Sequence, residues 1–464
     1  LTTRQAFQLH GVIKRNLKST IGGINDSLLD TIAACGDVNR NVMCTPLPEA
    51  SDIHQLVCRD AMAVSEHLTP HTTAYHEIWL DKKRVAGSDG QLVPDEEPIY
   101  GATYLPRKFK MSFAIPPRND VDVYAHDLNF IAIVEGGVLV GYNVAVGGGM
   151  GVTHGDPATY PRLANVIGFC TQEQVIEVTE TIVGIQRDFG DRTERKHARF
   201  KYTIDDRGLD WLHQQFESRT GYRLAPEHPF AFTHNGDQLG WQQTSDGKWH
   251  LGLFIENGRV ADREHATQLT GLREIARILK GEFRLTPNQN VVISGVQEPD
   301  RAAIDELVHE HGLDSWNRQT PLRLHSMACV GFPTCGLSMA ESERYLPDLV
   351  GRVEALMDSH GLSKQAITIR MTGCPNGCAR PYLAEIGLVG KGPSLYNLHL
   401  GAAFNGSRLN SLYRESVYEK DILEVLDELF IQYSEGRQEN ESFGDYLHRS
   451  GVVSNAGQDN GEGA

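Results

Sequence analysis

The sequence lacks the features of a membrane, nucleic-acid-binding or disulfide-stabilised protein. None of its apolar runs reaches the roughly eighteen residues that span a bilayer. Its formal net charge of −16 leaves no surplus of lysine and arginine for a phosphate backbone. Its 8 cysteines are too few for a disulfide framework, and four of them fall between positions 329 and 378. We therefore expect a soluble, cytoplasmic protein that holds a metal near those four cysteines.

The sequence also lacks a convincing nucleotide-binding loop. The glycine-rich segment 147–151 does not have the Gly-x-Gly-x-x-Gly spacing of a dinucleotide site. Its glycines are better suited to let the backbone approach a bound group closely. The sequence therefore gives no sign that the chain binds a nucleotide itself.

The patterning that is present predicts a mixed α+β protein of several domains. A chain of 464 residues is too long for one hydrophobic core. Segment 171–190 opens with a capping box and then places apolar residues at helical spacing, and 422–430 repeats that period. Short β-rich runs predict strands near 131–134, 138–140 and 291–293. The polar tail 454–464 has little to bury and is predicted to be disordered.

Short internal matches suggest that the two halves of the chain share one plan. The matches occur in the same order: 1–11 with 285–295, 108–111 with 368–371, and 142–147 with 396–401. Colinear matches favour a duplicated architecture with a pseudo-twofold axis over chance similarity. A large ligand could sit on that axis.

The strongest chemical signal is a set of four cysteines. Five residues separate Cys329 from Cys335, and thirty-eight more lead to Cys374 and Cys378, which flank a Pro-Asn-Gly turn. Four thiolates suit either zinc or an iron–sulfur cluster. Structural zinc usually takes tighter spacings, so the five-residue gap favours iron–sulfur, with a disulfide or unrelated buried thiols as further alternatives. A tight turn of this kind aims backbone N–H groups at cluster sulfurs.

These cysteine segments closely resemble the signature of the sulfite and nitrite reductase haemoprotein family. Segments 39–44, 104–110 and 396–401 resemble its assimilatory sulfite reductase branch, and the similarity covers essentially the whole chain. The resemblance implies six-electron reduction of sulfite to sulfide in cysteine biosynthesis. It implies a sirohaem coupled to a 4Fe–4S cluster on the four cysteines, with Cys378 as the bridge. It also implies a hetero-oligomer with an NADPH-oxidising flavoprotein subunit.

The same resemblance implies duplicated modules around a central cofactor, in three domains. Residues 1–36 and 240–318 would form a ferredoxin-like domain. Residues 37–239 would form the first sulfite reductase module and 319–464 the second, which carries the cysteines.

An acidic protein that binds sulfite and a haem with many carboxylates must concentrate cations in one pocket. Lys108 and Lys110 alternate along a predicted strand, so both side chains should lie on one face. The resemblance gives Arg40, Lys108 and Lys110 the catalytic role of holding sulfite oxygens and helping to deliver protons. The alternative is a solvated strand face with ordinary surface lysines.

The resemblance assigns further residues to the cofactor pocket: Arg4, Gln8, His10, Lys201, Gln289 and Asn376. Lys201 ends the only dense basic run of the chain, 192–201. Cofactor carboxylates suit this run better than nucleic acid, because no array of stacking aromatic residues accompanies it. For His10, a hydrogen-bonded core histidine is the alternative.

Some departures from the family pattern keep other functions open. In this family an arginine-bearing segment usually precedes the position of Leu1, so we expect an N-terminal piece to be missing. Ala379 and Ala402 also stand at positions where the family commonly has glycine. The alternatives are a ferredoxin-dependent sulfite or nitrite reductase and a non-catalytic fragment that binds the cofactors. The acidic charge disfavours docking of an acidic ferredoxin, and the lysine pair disfavours a storage role.

Overall fold

A computed structural model describes residues 1–47, 50–71, 78–80, 83–86 and 96–454. The predicted disordered tail, apart from Ser454, lies outside these described residues. The strands are β1 (Asn39–Met43), β2 (Ile78–Leu80), β3 (Lys83–Ala86), β4 (Phe109–Ala114), β5 (Arg118–Asn119), β6 (Leu128–Glu135), β7 (Val138–Val146), β8 (Asn165–Cys170), β9 (His234–Asn235), β10 (Gly240–Gln243), β11 (Trp249–Leu253), β12 (Asp262–Arg263), β13 (Ala266–Thr267), β14 (Glu282–Leu285), β15 (Val291–Val296), β16 (Ser326–Ala328), β17 (Ile369–Thr372), β18 (Ile386–Gly392), β19 (Leu395–Leu400) and β20 (Ser411–Val417). The helices are α1 (Leu17–Asp26), α2 (Asp52–His67), α3 (Val175–Phe189), α4 (Phe200–Arg207), α5 (Leu209–Thr220), α6 (Gln268–Ile278), α7 (Glu298–Glu310), α8 (Pro321–Leu324), α9 (Leu346–Ser359), α10 (Glu419–Gly436) and α11 (Phe443–Arg449).

Two five-stranded sheets have the same topology. The first has the order β1-β4-β6-β7-β8 and the second the order β16-β17-β18-β19-β20. In each sheet the first two pairings are parallel and the last two antiparallel. Helix α2 connects the first parallel pair in one half, and α9 does so in the other. The predicted α+β fold of duplicated modules is confirmed.

The local sequence explains the middle of the first sheet. Strand β6 buries its first six residues, because both faces of the sheet are covered and its side chains are almost all apolar. Gly136 and Gly137 then form a two-residue hairpin with φ of +58° and +81°, a conformation that favours glycine at both positions. Helix α3 follows β8, and the predicted capping box between Thr171 and Gln174 is present at its start.

A third sheet, of order β10-β11-β15-β14, lies between the two modules in sequence. Its apolar side chains, with those of α6 and α7, form a separate core around Leu251, Ile275 and Ile293. Each five-stranded sheet has its own larger core. No helix among the described residues has the length and apolar composition needed to cross a membrane.

The matched loops near Leu1 and Leu285 adopt the same conformation. Thr2 N donates to Ala6 O and Thr286 N donates to Asn290 O, both at 3.0 Å. In each loop the threonine hydroxyl accepts hydrogen bonds from the backbone N–H groups two and four residues later. The glutamine in between has positive φ in both, +49° in one loop and +67° in the other. The match found in the sequence is therefore structural.

The other two matches differ in accuracy. Val146 pairs with Leu128 as Leu400 pairs with Ile386, so 142–147 and 396–401 occupy equivalent positions. In contrast, Leu128 pairs with Met111 whereas Ile386 pairs with Ile369, so 108–111 is equivalent to 366–369 and not to 368–371. The sequence match was wrong by two residues. A shift of two residues keeps every side chain on the same face of a strand, so the apolar pattern does not reveal it.

Candidate functional site

The four predicted cysteines line a single cavity of about 590 Å³. It lies between the cysteine loops of the second module, the N-terminal segment and the third sheet. Cys329 follows β16, and Cys374 follows β17, the neighbouring parallel strand. The ends of two adjacent parallel strands thus bring the two distant cysteine pairs together, which explains the spacing of thirty-eight residues seen in the sequence.

Glycines allow the cysteine loops to pack tightly. The Cys329 sulfur accepts a hydrogen bond from the backbone N–H of Gly373 at 3.4 Å. A Cβ at Gly373 would lie 1.9 Å from the Ser338 hydroxyl, so a larger residue would force the loops apart. Gly377 has φ of +64° in the turn between Cys374 and Cys378. This agrees with the tight turn that the sequence predicts.

The donor set fits an iron–sulfur cluster. A single zinc ion needs its ligands about 2.3 Å from one point, and no group of three or more His, Cys, Asp or Glu side chains within the described residues is so arranged. The four thiols instead surround a larger space. Burial raises the pKa of the Cys329 thiol to about 11 and also raises that of Cys374. Metal binding, which requires thiolates, would therefore displace protons from this site.

Two buried side-chain oxygens at the same cavity have no hydrogen-bond partner among the described residues. They are Asn257 Oδ1 and Gln289 Oε1, and both residues line the cavity. Unsatisfied buried polar atoms are costly and usually mark the place of a bound group. These oxygens therefore support a bound cofactor beside the thiols.

Lys108 and Lys110 form the cationic side of the site. Both are partly buried and lie within electrostatic reach of Cys378. Burial and the positive charge of Arg199 lower the pKa of Lys108, and the same two causes lower that of Lys110 further. Neither ammonium group makes a hydrogen bond or an ion pair to the described residues. A pair of desolvated, unpaired cations is a site for an anion.

Arg199 is the residue of the basic run that lies beside this lysine pair. It is buried, and its guanidinium donates to both oxygens of Asp127 at 3.1 and 2.9 Å. Asp127 also accepts from the backbone N–H of Lys110 at 2.9 Å, which fixes the start of β4 next to the arginine. The sequence analysis singled out the basic run but not the Arg199–Asp127 pair, because 72 residues separate the two partners.

Lys201, which the sequence placed in the cofactor pocket, has a different position. It is fully buried, and its ammonium donates to the backbone carbonyls of Gly149, Gly151 and Tyr160. An ammonium has three N–H bonds, so none is left for a cofactor carboxylate. The structure favours Arg199 over Lys201 as the neighbour of a bound anion.

Arg4 and Arg40 lie near the lysine pair but are held by the chain. Arg4 donates to the backbone carbonyl of Asn41 at 2.6 Å and contacts His126 Nδ1 at 3.3 Å. Burial and the charge of Arg380 lower the pKa of Arg4 to about 9. Arg40 donates to the carbonyls of Ala34 at 2.6 Å and Gly36 at 3.1 Å.

The remaining predicted residues line the cysteine cavity itself: Gln8, His10, Gln289 and Asn376. His10 is exposed and its Nδ1 lies 2.9 Å from Arg259, so it is not a core histidine. Arg259 in turn pairs with the buried carboxylate of Glu343. The structure therefore brings the predicted residues, apart from Lys201, to two adjoining surfaces that meet at Cys378.

A second cavity, of about 380 Å³, occupies the equivalent place in the first module. The strand registers make Thr45 equivalent to Cys329, Pro116 to Cys374 and Asp120 to Cys378, and all three line this cavity. Burial and the nearby charge of Asp237 raise the pKa of Asp120 to about 7. The first module has thus kept the shape of the site without its thiols.

The cationic surface is also confined to one half. By the same registers, Thr368 is equivalent to Lys110 and Ala366 to Lys108. The space beside Thr368 and Leu324 is only about 20 Å³. The thiols of the second module therefore face the cations of the first, and the positions equivalent to them in the opposite modules have neither thiols nor cations.

Comparisons with known proteins agree with this geometry. Residues 61–224 match the model of the nitrite and sulphite reductase 4Fe-4S domain, and 242–311 match the nitrite/sulfite reductase ferredoxin-like half domain. The NirA protein of Mycobacterium tuberculosis has the same fold, with a TM-score of 0.70 at 24% identity over 94% of this chain and 74% of that one.

Curated relatives are more similar in sequence. The sulfite reductase (NADPH) haemoprotein beta-component of Myxococcus xanthus is 58% identical over 98% of this chain and 80% of its own length. The proteins of the same name from Xylella fastidiosa and Geobacillus kaustophilus are 56% and 55% identical, with 98% of this chain and 79% of each relative covered. The chain thus belongs to the nitrite and sulphite reductase family, among the sulfite reductase haemoprotein beta-components.

Proposed function

We propose that this chain reduces sulfite to sulfide, with six electrons, at a sirohaem coupled to a 4Fe–4S cluster. The observation that carries the proposal is the meeting, at Cys378, of a cavity lined by four thiols and a surface of two partly buried lysines that form no ion pair with the described residues. Cys329, Cys335, Cys374 and Cys378 would hold the cluster. The bound centre would supply the electrons for the reduction.

The residues of this chain would then bind and orient the anion. Lys108 and Lys110 lie side by side and form no ion pair with a described carboxylate, so an oxyanion would gain two charge-assisted hydrogen bonds on entering. Arg40 uses three of its five guanidinium N–H bonds on carbonyls of its own loop, so two would remain for the anion. Because the cations are desolvated before the anion arrives, their attraction to it is stronger than in water.

One lysine of this pair would also donate protons to the substrate. Reduction of sulfite to sulfide releases three oxygens as water and consumes protons at each step. Burial and Arg199 lower the pKa of Lys110, so its ammonium is a better proton donor than a lysine in water. Lys108, whose pKa is lowered less, would keep the anion bound.

The cofactor carboxylates would be held on the adjoining surfaces. Arg4, Gln8, His10, Gln289 and Asn376 are the residues we assign to this task, and Arg199 adds a cation at the lysine pair. Lys201 is not in this set, because its three N–H bonds are used by carbonyl groups.

We propose a flavoprotein subunit as the electron donor, in a hetero-oligomer. The relatives are named as the beta-components of an NADPH-dependent enzyme, which supports a partner that oxidises NADPH. We also propose that the protein works in the cytoplasm, since the 8 cysteines are free thiols. Copurification with a flavin-containing subunit, or its failure, tests the partner.

The proposed activity is tested by an anaerobic assay with reduced methyl viologen as donor. We expect the purified protein to contain iron, to show a sirohaem spectrum and to oxidise the reduced dye when sulfite is added. Nitrite serves as the competing substrate in a parallel assay. A colourless protein that contains zinc, or a coloured one that does not oxidise the dye with sulfite, would contradict the proposal.

A further inference from the structure

The contact between the two halves of the molecule includes a loop of the first module that supports the cysteine turn of the second. The Val152 N–H donates to Pro375 O at 2.9 Å. A Cβ at Gly377 would lie 2.9 Å from the Met150 carbonyl oxygen, so the turn rests directly on this loop. Loop 149–152 thus packs directly against the residues between Cys374 and Cys378.

Backbone hydrogen bonds hold the start of the glycine-rich segment 147–151 but not its end. Gly149 exchanges two backbone hydrogen bonds with Arg162, and Met150 packs into an apolar cluster with Tyr382 and Leu383 of the second module. The Gly151 carbonyl accepts no backbone hydrogen bond from the described residues. Four glycines make the segment easy to deform, so its end needs a side-chain donor.

Lys201 supplies that interaction. Its side chain packs on Gly149, where a Cβ would lie 3.1 Å from the lysine Cδ. Its ammonium donates to the carbonyls of Gly149 at 3.1 Å and Gly151 at 2.9 Å, on either side of Met150, and to that of Tyr160. The Tyr202 ring lies 4.8 Å from the same ammonium. No carboxylate within the described part of the chain forms an ion pair with it.

The three acceptors favour the cationic form of Lys201. A neutral amine has two N–H bonds and could not satisfy three carbonyls, whereas an ammonium satisfies all three. Burial opposes this form and lowers the pKa of Lys201 to about 7, and the three hydrogen bonds offset part of that cost.

We propose that Lys201 is a positioning residue for the cluster, which it serves by fixing loop 149–152 under the Cys374–Cys378 turn. This role rests on the proposed ligation of the cluster by these cysteines. Lys201 does not touch the cofactor or the substrate. Its replacement is expected to loosen the turn, and with it the cluster, while leaving the fold of both modules intact.

Amide hydrogen exchange of the loaded full chain, kept anaerobic, tests this role. In Lys201→Met, which keeps the apolar stem and removes the three donors, exchange should rise about tenfold in peptides spanning 149–152 and 374–380. Strand β7 reports on the fold and should exchange as in the wild type. Iron release to a chelator should accelerate about tenfold as well.

Lys196→Met is the matched control. It removes a positive charge from the same basic run, but the Lys196 side chain is 59% exposed and lies 3.9 Å from Asp156. Both peptides and the iron release rate should stay at wild-type values. Lys201→Arg, which keeps a cation with several N–H donors, should restore most of the protection of the turn.

Unchanged exchange at 374–380 in Lys201→Met would overturn the proposal. So would a uniform increase that includes β7, since that would make Lys201 a general stability residue. If Lys201→Met does not fold, Lys201→Gln, which keeps two of the three N–H donors, is compared with the wild type in the same way. Exchange is measured without sulfite, so its outcome is independent of whether the wild type reduces sulfite.

Discussion

Asp122 and Arg380 occupy equivalent positions of the two modules and form an ion pair with each other. Each residue has positive φ, +50° and +52°, and precedes a 3₁₀ turn that leads into the third strand of its sheet. The Arg380 Nε lies 2.5 Å from Asp122 Oδ2, and Arg370 donates to the same carboxylate at 2.6 Å. Arg380 also donates to Thr3 O at 2.8 Å and Pro287 O at 2.9 Å, one carbonyl from each repeated loop. The pseudo-twofold axis therefore passes near a buried charge pair.

Asp122→Asn should destabilise the protein strongly. The substitution keeps a residue that tolerates positive φ but leaves two buried guanidinium groups without a countercharge, at a cost of about 3 kcal/mol. Burial alone would raise the pKa of Asp122, but Arg370 and Arg380 lower it to about 2. Its contribution to stability is thus present above about pH 4 and is lost as the pH falls toward the folded value. Urea unfolding at pH 7 and pH 3 measures both effects.

The control for this substitution is Asp427→Asn. Asp427 is 44% exposed and pairs with His360 at 2.7 Å, an interaction worth less than about 1 kcal/mol at the surface. If Asp122→Asn and Asp427→Asn lower the free energy of unfolding equally, the buried ion pair does not stabilise the fold more than a surface pair does.

Cys378→Ser should remove the signals of cluster and haem together. If Cys378 is shared between the two cofactors, loss of its thiolate uncouples both, and iron content and the visible spectrum should fall in parallel. Cys35→Ser is the control, because Cys35 is exposed and away from the cavity. A variant that keeps both spectra at wild-type strength would rule out the bridging role.

The sequence predicted the fold and the thiols well because both depend on local patterns. The capping box at Thr171, the strands predicted near 131–134 and 138–140, and the cysteine segments each depend on residues that are contiguous in the chain. The repeated loops were detectable for the same reason, since threonine and glutamine sit at fixed offsets within five residues.

The sequence could not predict the pairings that depend on distance along the chain. Whether Arg199 or Lys201 faces the anion depends on which one meets Asp127, and 72 residues separate Arg199 from that carboxylate. The repeat of β4 in β17 was placed two residues away because strand periodicity is the same after such a shift. The sequence likewise could not predict the second cavity, because the equivalence of Asp120 and Cys378 depends on how distant strands pair.

Asp120→Asn should change how stability depends on pH. Burial and Asp237 raise the pKa of the Asp120 carboxyl to about 7, with Arg118 acting in the opposite direction. Its folded-state pKa is above the unfolded value of about 3.9, so the wild type loses stability as the pH rises from about 4 to 7. The asparagine variant lacks this titration and should be more stable than the wild type by on the order of 2 kcal/mol at pH 8.

Thermal unfolding across pH 4 to 8 of both proteins checks this prediction. Asp26→Asn, at an exposed position at the end of α1, should follow the wild-type profile. If the unfolding temperatures of Asp120→Asn and the wild type differ by the same amount at every pH, another group causes the pH dependence of stability.

Lys110→Met should lower sulfite turnover while making the unloaded chain more stable. The ammonium is desolvated and repelled by Arg199 and Arg4, which lowers its pKa, so replacing it with an apolar side chain removes a cost of about 1 kcal/mol or more. The unfolded chain keeps this proton up to about pH 10, so wild-type stability should rise with pH above the lowered folded value, and the variant should lose that rise. In the loaded enzyme the same change removes a cation and a proton donor from the anion, which should reduce turnover about a hundredfold.

Three measurements decide whether Lys110 has this dual role. Turnover with reduced methyl viologen should fall while iron and haem content stay at wild-type values, and thermal unfolding of the unloaded chain should shift upward. Lys248→Met, at an exposed lysine that pairs with Asp246 at 3.0 Å, should leave all three unchanged. We expect Lys110→Met to gain stability and lose turnover, because the unloaded fold bears the cost of burying the ammonium. In the loaded enzyme the bound substrate supplies the compensating negative charge. A variant that loses both stability and cofactor would instead show that Lys110 supports the fold.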